Sequence, residues 1–137
     1  MAGKLTVVGA GIALDGMSGR TNITARNLYL ALLTAPASVT TTPATMTEYS
    51  ATGYTRQLCA MGVPSGTPRV IANTTGLSFG PLTGANGSTA VTYWALVSTA
   101  SGTTGECVAF GDMVTPRTPA ASDTLTVAIG AVTCEIN

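Results

Sequence analysis

Histidine is absent from this chain of 137 residues, and charge is scarce, with 6 Lys+Arg facing 6 Asp+Glu, or 9% of the sequence against a typical quarter. The first absence removes the side chain that most often moves protons near neutral pH, and with it the usual base of a serine or cysteine nucleophile. The second leaves a net charge of zero and no basic stripe, so neither nucleic acid nor an anionic lipid surface is an expected partner. Apolar runs fall short of the roughly 18 residues that a spanning helix needs, which speaks against a membrane segment. Aromatic side chains are few, with Trp 1, Tyr 4 and Phe 2, and give little material for sugar-stacking platforms.

Cysteine is sparse too. Cys59, Cys107 and Cys134 form no CxxC pair and have no histidine to complete a zinc set, so buried reduced thiols are the expectation. Lys4 precedes a mildly apolar run, but Gly9 and Gly11 dilute it and Asp15 closes it, which is not the pattern of a secretory signal. With cytosolic synthesis, the sequons at Asn22, Asn73 and Asn86 read as accidents of composition.

What the chain has instead is hydroxyl: 25 Thr and 9 Ser, a composition that favours strands and turns. At 13.7 kDa it folds as a single domain, 1–137, and buries about two thirds of the roughly 20,000 Å² that its unfolded form exposes. Twelve charges are few for the remaining surface. A mean hydropathy of +0.38 therefore implies that part of it is covered by other subunits.

One helix is expected, over about residues 4–18, with Leu5, Val8, Ile12 and Met17 near one face, Ala13 beside them and Gly19 as its end. Its glycines make it depend on docking. A β domain follows over about 26–137. Residues 28–33 (LYLALL) are apolar on both faces and predict a strand covered on both sides, one cover being the helix. Residues 34–50 hold Pro36 and Pro43 and predict a long exposed loop, flexible unless a partner pins it. Residues 53–60 predict a strand, 63–69 a turn, 70–79 one or two short strands broken at Asn73 and Gly76, and 83–88 (TGANGS) a turn.

Residues 91–98 alternate with apolar groups on both faces; the face with Trp94 lies either under the helix or against a neighbouring subunit. Residues 99–105 predict a hairpin loop leading into a strand at 106–110, and Pro116 and Pro119 frame a connection. In the last segment Leu125, Val127 and Ile129 share a face, yet Val132, Cys134 and Ile136 have the other parity. A bulge or bend at Gly130 would keep both halves facing one core. The fold class is mainly β: an antiparallel sandwich or small barrel of six to seven strands with one N-terminal helix.

No motif carries chemistry. Gly9, Gly11 and Gly16 lack GxGxxG spacing and read as helix-packing glycines. The six carboxylates, Asp15, Glu48, Glu106, Asp112, Asp123 and Glu135, have no context that pairs them, and Asp112 and Asp123 suit turns. Arg56, Arg69 and Arg117 read either as solvated strand-edge charges or as groups that orient a partner. The expectation is a non-enzyme with no catalytic, cofactor-binding or metal residues and no cofactor.

In order along the chain, residues 28–36 (LYLALLTAP), 53–57 (GYTRQ), 71–79 (IANTTGLSF), 91–97 (VTYWALV) and 115–136 (TPRTPAASDTLTVAIGAVTCEI) resemble a family of small tailed-bacteriophage virion proteins. These are often labelled tail fibre or minor tail proteins, and the family includes capsid decoration, or cement, proteins. The resemblance implies a structural virion protein made in the host bacterial cytoplasm. It would decorate the outer capsid surface and bridge major capsid protein subunits as a homo-oligomer, with a trimer as the expected form. A tail component, fibre or tube accessory subunit, is the alternative, and a carbohydrate-binding module a third reading. The helix and the 34–50 loop are the candidate partner contacts, and the family implies no active site.

Overall fold

The computed structural model describes residues 2–19, 26–66, 69–83 and 89–136. The chain opens not with the helix but with strand β1 (Ala2–Leu5), and α1 (Val7–Ser18) follows. Lys4 and Leu5 therefore leave the expected helix for a strand. The reason is tertiary: β1 fills the gap between two strands from the far end of the sequence, so its backbone groups are satisfied without a helix.

The remaining strands are β2 (Tyr29–Leu33), β3 (Gln57–Leu58), β4 (Arg69–Ala72), β5 (Leu77–Phe79), β6 (Val91–Val97), β7 (Cys107–Arg117), β8 (Leu125–Val127) and β9 (Thr133–Ile136). Seven of these form one curled sheet, a half-barrel, in the order β3-β2-β6-β7-β1-β9-β4, and β5 pairs with β8 in a second, small sheet. The mainly β class with one helix stands. Among the described residues there are more strands than the six to seven expected, and β1 and β9 run parallel where an all-antiparallel sheet was expected.

The centre of the sheet follows the local pattern. In β2 Leu30 and Leu32 enter the main core while Ala31 and Leu33 enter a second cluster on the opposite face, so the strand is covered on both sides. The second cover comes from Ala37 and Met46 of the 34–50 loop, whereas α1 packs on β7 and β1. In β6 Trp94 and Leu96 point into the main core, and Trp94 is fully buried; it lies neither under the helix nor on a subunit surface. A register shift between Val91 and Tyr93 brings Val91 into the same core despite its odd position. Trp94 fits because β1 passes it at Gly3, where an added Cβ would stand 2.3 Å from the indole.

Elsewhere the chain departs from the pattern. Most of residues 53–60 is irregular, and only Gln57–Leu58 pairs as a strand. Pro116 frames no connection, since β7 runs through it to Arg117 beside Val91. The breaks at Asn73 and Gly76 separate β4 from β5 as expected, and the 99–105 loop joins antiparallel β6 and β7. The expected turn at 83–88 falls on residues 84–88, outside the described ones. Gly130 adopts φ +75 and turns the chain from one sheet to the other. Val127, Val132 and Cys134 all reach the main core across that bend, while Ile129 is turned out.

Candidate functional site

Three features define what the surface offers: how α1 is held, how the 34–50 loop is held, and which apolar groups remain outside. Thr6 caps α1. Its Oγ1 accepts from the Gly9 N–H at 3.1 Å and donates to the Cys107 carbonyl, while its own N–H donates to the Val108 carbonyl at 2.9 Å. Gly9 is the buried residue of the helix, because its Cα side lies against β7; an added Cβ would sit 2.1 Å from the Val108 oxygen. Gly19, at φ 64, ends the helix as expected. The face turned inward thus carries a glycine rather than the expected Val8 and Met17, and Val7, Leu14 and Met17 stand in solvent.

The 34–50 loop is irregular, as expected, and contacts within its own chain pin it. Val39 accepts from the Val7 N–H, Thr34 donates to Thr47, and Tyr49 donates to Leu32, at 2.8 to 3.0 Å. Threonine hydroxyls of Thr41 and Thr45 accept from the backbone of Ser38 and Thr42 and stiffen its turns.

Its strongest anchor is a buried ion pair. Arg56 Nε and Nη2 donate to Glu48 Oε1 and Oε2 at 2.9 and 2.7 Å, Nη1 donates to Thr99 O at 3.1 Å, and Nη2 also donates to Gly102 O at 2.8 Å. Tyr54 Oη donates to Glu48 Oε1 at 2.8 Å and accepts from the Leu32 N–H at 3.0 Å. One carboxylate therefore locks together the loop, the GYTR segment, the hairpin loop after β6 and strand β2. The Arg56 side chain is 4% exposed and that of Glu48 24%. The hydrogen bonds to Glu48 hold the guanidinium above its ordinary pKa, against the opposing effect of burial. Burial, followed by the nearby Glu48 charge, pushes the Tyr54 hydroxyl up.

Arg56 is therefore an internal clamp, neither a solvated edge charge nor a free group for a partner. Arg117 is exposed at the end of β7, and the side chain of Arg69 lies outside the described residues. The carboxylates are spread over separate elements. Asp15 is exposed on α1, Asp112 faces Tyr93 across β7 and β6 rather than forming a turn, and Glu135 faces Val70 across β9 and β4. Asp123 does shape a turn, its Oδ2 accepting from the Ala120 N–H at 2.8 Å, and Glu106 pairs with Arg26. Among the described residues no three His, Cys, Asp or Glu side chains come together as a metal-holding group, and no helix is long and apolar enough to cross a membrane.

Cys59, Cys107 and Cys134 are free, buried thiols as expected, each pushed up to about 11 by desolvation. They are protonated near neutral pH and poor nucleophiles. Of the sequons, Asn73 is buried and structural: its Nδ2 donates to Thr75 O and Ala128 O at 2.8 and 2.9 Å, and its Oδ1 accepts from the Val132 N–H at 2.9 Å. Asn22 and Asn86 lie outside the described residues.

Several large apolar groups also remain outside. Val7, Leu14 and Met17 of α1, Val39 of the loop, Leu58 of β3, Val63, Val114 of β7 and Ile129 are all more than half exposed. Val63 and Ile129 flank a mostly apolar hollow of about 520 Å³ beside edge strand β4. Thr6 before an apolar run was a readable helix start in the sequence, and it placed Val7 rather than Leu5 in the first turn.

The profile of the family described as podophage GP4 fiber I protein gp80 matches residues 8–135. No curated protein matches the chain. The match runs from the first turn of α1 to the last strand of the sheet and so spans nearly the whole fold: the chain belongs to the podophage GP4 fiber I protein gp80 family, a family of phage virion structural proteins.

Proposed function

We propose that this chain is a structural subunit of the fibre apparatus of a podophage virion, working by docking and not by catalysis. The observation that carries the reading is the set of apolar side chains left exposed on α1, β7, the 34–50 loop and the two sides of the β4 hollow. Docking faces on several elements suit a subunit with several neighbours. A standard interface buries about 1,600 Å² in total, and repeated contacts of that kind from one oligomer give slow release from modest individual affinities. The absence of catalysis is supported by side chains already committed elsewhere: Glu48 to Arg56, Asp123 to its turn, and three thiols that burial keeps protonated.

Decoration of the capsid surface, bridging major capsid protein subunits, is the second reading. The 115–136 motifs resemble a virion protein family that includes decoration proteins as well as fibre proteins, and this supports it. Cryo-electron microscopy of virions with and without the chain distinguishes the two. Density of this half-barrel in an appendage supports the fibre reading, a regular array over the head shell supports the decoration reading, and unaltered particles contradict both.

A further inference from the structure

On α1, Val7, Ala10, Leu14 and Met17 follow one another at intervals of three, four and three residues, which places them on a single line down the helix. That line faces away from the subunit: Val7 is 64% exposed, Leu14 63% and Met17 83%. Val39 extends it sideways, because the Val7 N–H donates to the Val39 carbonyl. With the flanking Val8, these side chains leave on the order of 500 Å² of apolar surface open, within the range of the largest patch on a monomer, which is often functional.

Gly11 points to what covers it. Gly9 is explained within the subunit by the Val108 oxygen, but a Cβ at Gly11 would meet nothing within 4 Å. Glycine in mid-helix weakens the helix, and at Gly11 no contact inside the chain compensates. Beside Ala10 it leaves a shallow depression on the outer face, one turn from the projecting Leu14.

We propose that α1 packs antiparallel against α1 of a second copy of this chain, across a twofold axis. Leu14 of each copy fills the depression at Ala10 and Gly11 of the other, and Met17 of each covers Val7 and Val39 of the other. The surface is self-complementary in the sense that an isologous contact requires, a hole and a knob on the same helix about one turn apart. Antiparallel packing also sets each helix N-terminus beside the other's C-terminus, and the lone helix charge, Asp15, is kept from its own copy. No charge on the stripe would select an acidic or basic partner. The proposal rests on reading the chain as an assembly subunit and names one of its faces.

The test is the solution mass of the full chain by sedimentation equilibrium. Wild type is expected as a dimer or a multiple of it. Leu14→Glu and Met17→Glu should each weaken self-association more than tenfold, with unchanged circular dichroism and Trp94 emission. Thr103→Glu, at an exposed position in the loop between β6 and β7, should leave the mass unchanged. Met17 has so little contact inside the subunit that its substitution cannot act by unfolding, so it decides the matter if Leu14→Glu disturbs the fold. A monomeric wild type, a Met17→Glu chain of undiminished mass, or equal dissociation by Thr103→Glu overturns the proposal. These outcomes are independent of where the chain sits in a virion, so a monomer present in particles would remove this interface and leave the fibre reading intact.

Discussion

Replacing Glu48 by alanine removes the acceptor around which the 34–50 loop is built. Two charge-assisted hydrogen bonds from Arg56 and one from Tyr54 are lost, and a guanidinium only 4% exposed keeps just Thr99 and the Gly102 carbonyl. Breaking a buried ion pair from one side costs about 3–5 kcal/mol. Glu48 itself is 24% exposed, so water enters the vacated space and the lower end, about 3 kcal/mol, applies. With a urea slope of about 1.5 kcal/mol per molar, the unfolding midpoint should fall by about 2 M. Trp94, the only tryptophan and fully buried, reports the transition by fluorescence. Glu48→Ala combined with Arg56→Met should be no less stable than Glu48→Ala alone, because the second change removes the orphaned charge. A single-mutant midpoint within about 0.3 M of wild type would mean that this pair behaves as an ordinary surface contact, and the clamp would have to be abandoned.

Other outcomes follow from the same contacts. Asn73→Ala leaves the Val132 N–H and Ala128 carbonyl without their side-chain partners and should cost about 2–4 kcal/mol in denaturant melts. Gly9→Ala drives a methyl to 2.1 Å from the Val108 oxygen, so hydrogen exchange should show α1 loosened while β2 and β6 stay protected. The three thiols should resist an aromatic disulfide reagent in the native state and react together on unfolding. Their pKa rises from 9.0 to about 11 on folding, so the native state holds more protons between those values. Stability is full below pH 9 and declines as pH climbs through 11, by about 1–3 kcal/mol per thiol in alkaline melts.

The elements legible in the sequence were those set by local pattern. The doubly apolar runs of β2 and β6, the glycine-rich loop between β6 and β7, and the parity change at Gly130 each have a physical cause within a few residues. The elements not legible depend on distant partners. β1 looks helical because its apolar spacing fits a helix as well as a strand, and only β7 and β9 decide the matter. The inner face of α1 is not legible because close approach to Val108 selects the smallest residue for it, which hydropathy reads as the outer one. Arg56 and Glu48 are eight residues apart across an irregular segment, a separation at which sequence gives no sign of pairing. Trp94 lacked a visible home because the space for it is made by the missing side chain of Gly3.

Quantitative mass spectrometry of purified phage particles tests most directly that this chain is a building unit of the virion. It should remain with the particles through density-gradient purification, in a fixed small-integer ratio to the other fibre components. Recovery only in the soluble lysate, with purified particles free of it, would contradict the structural role.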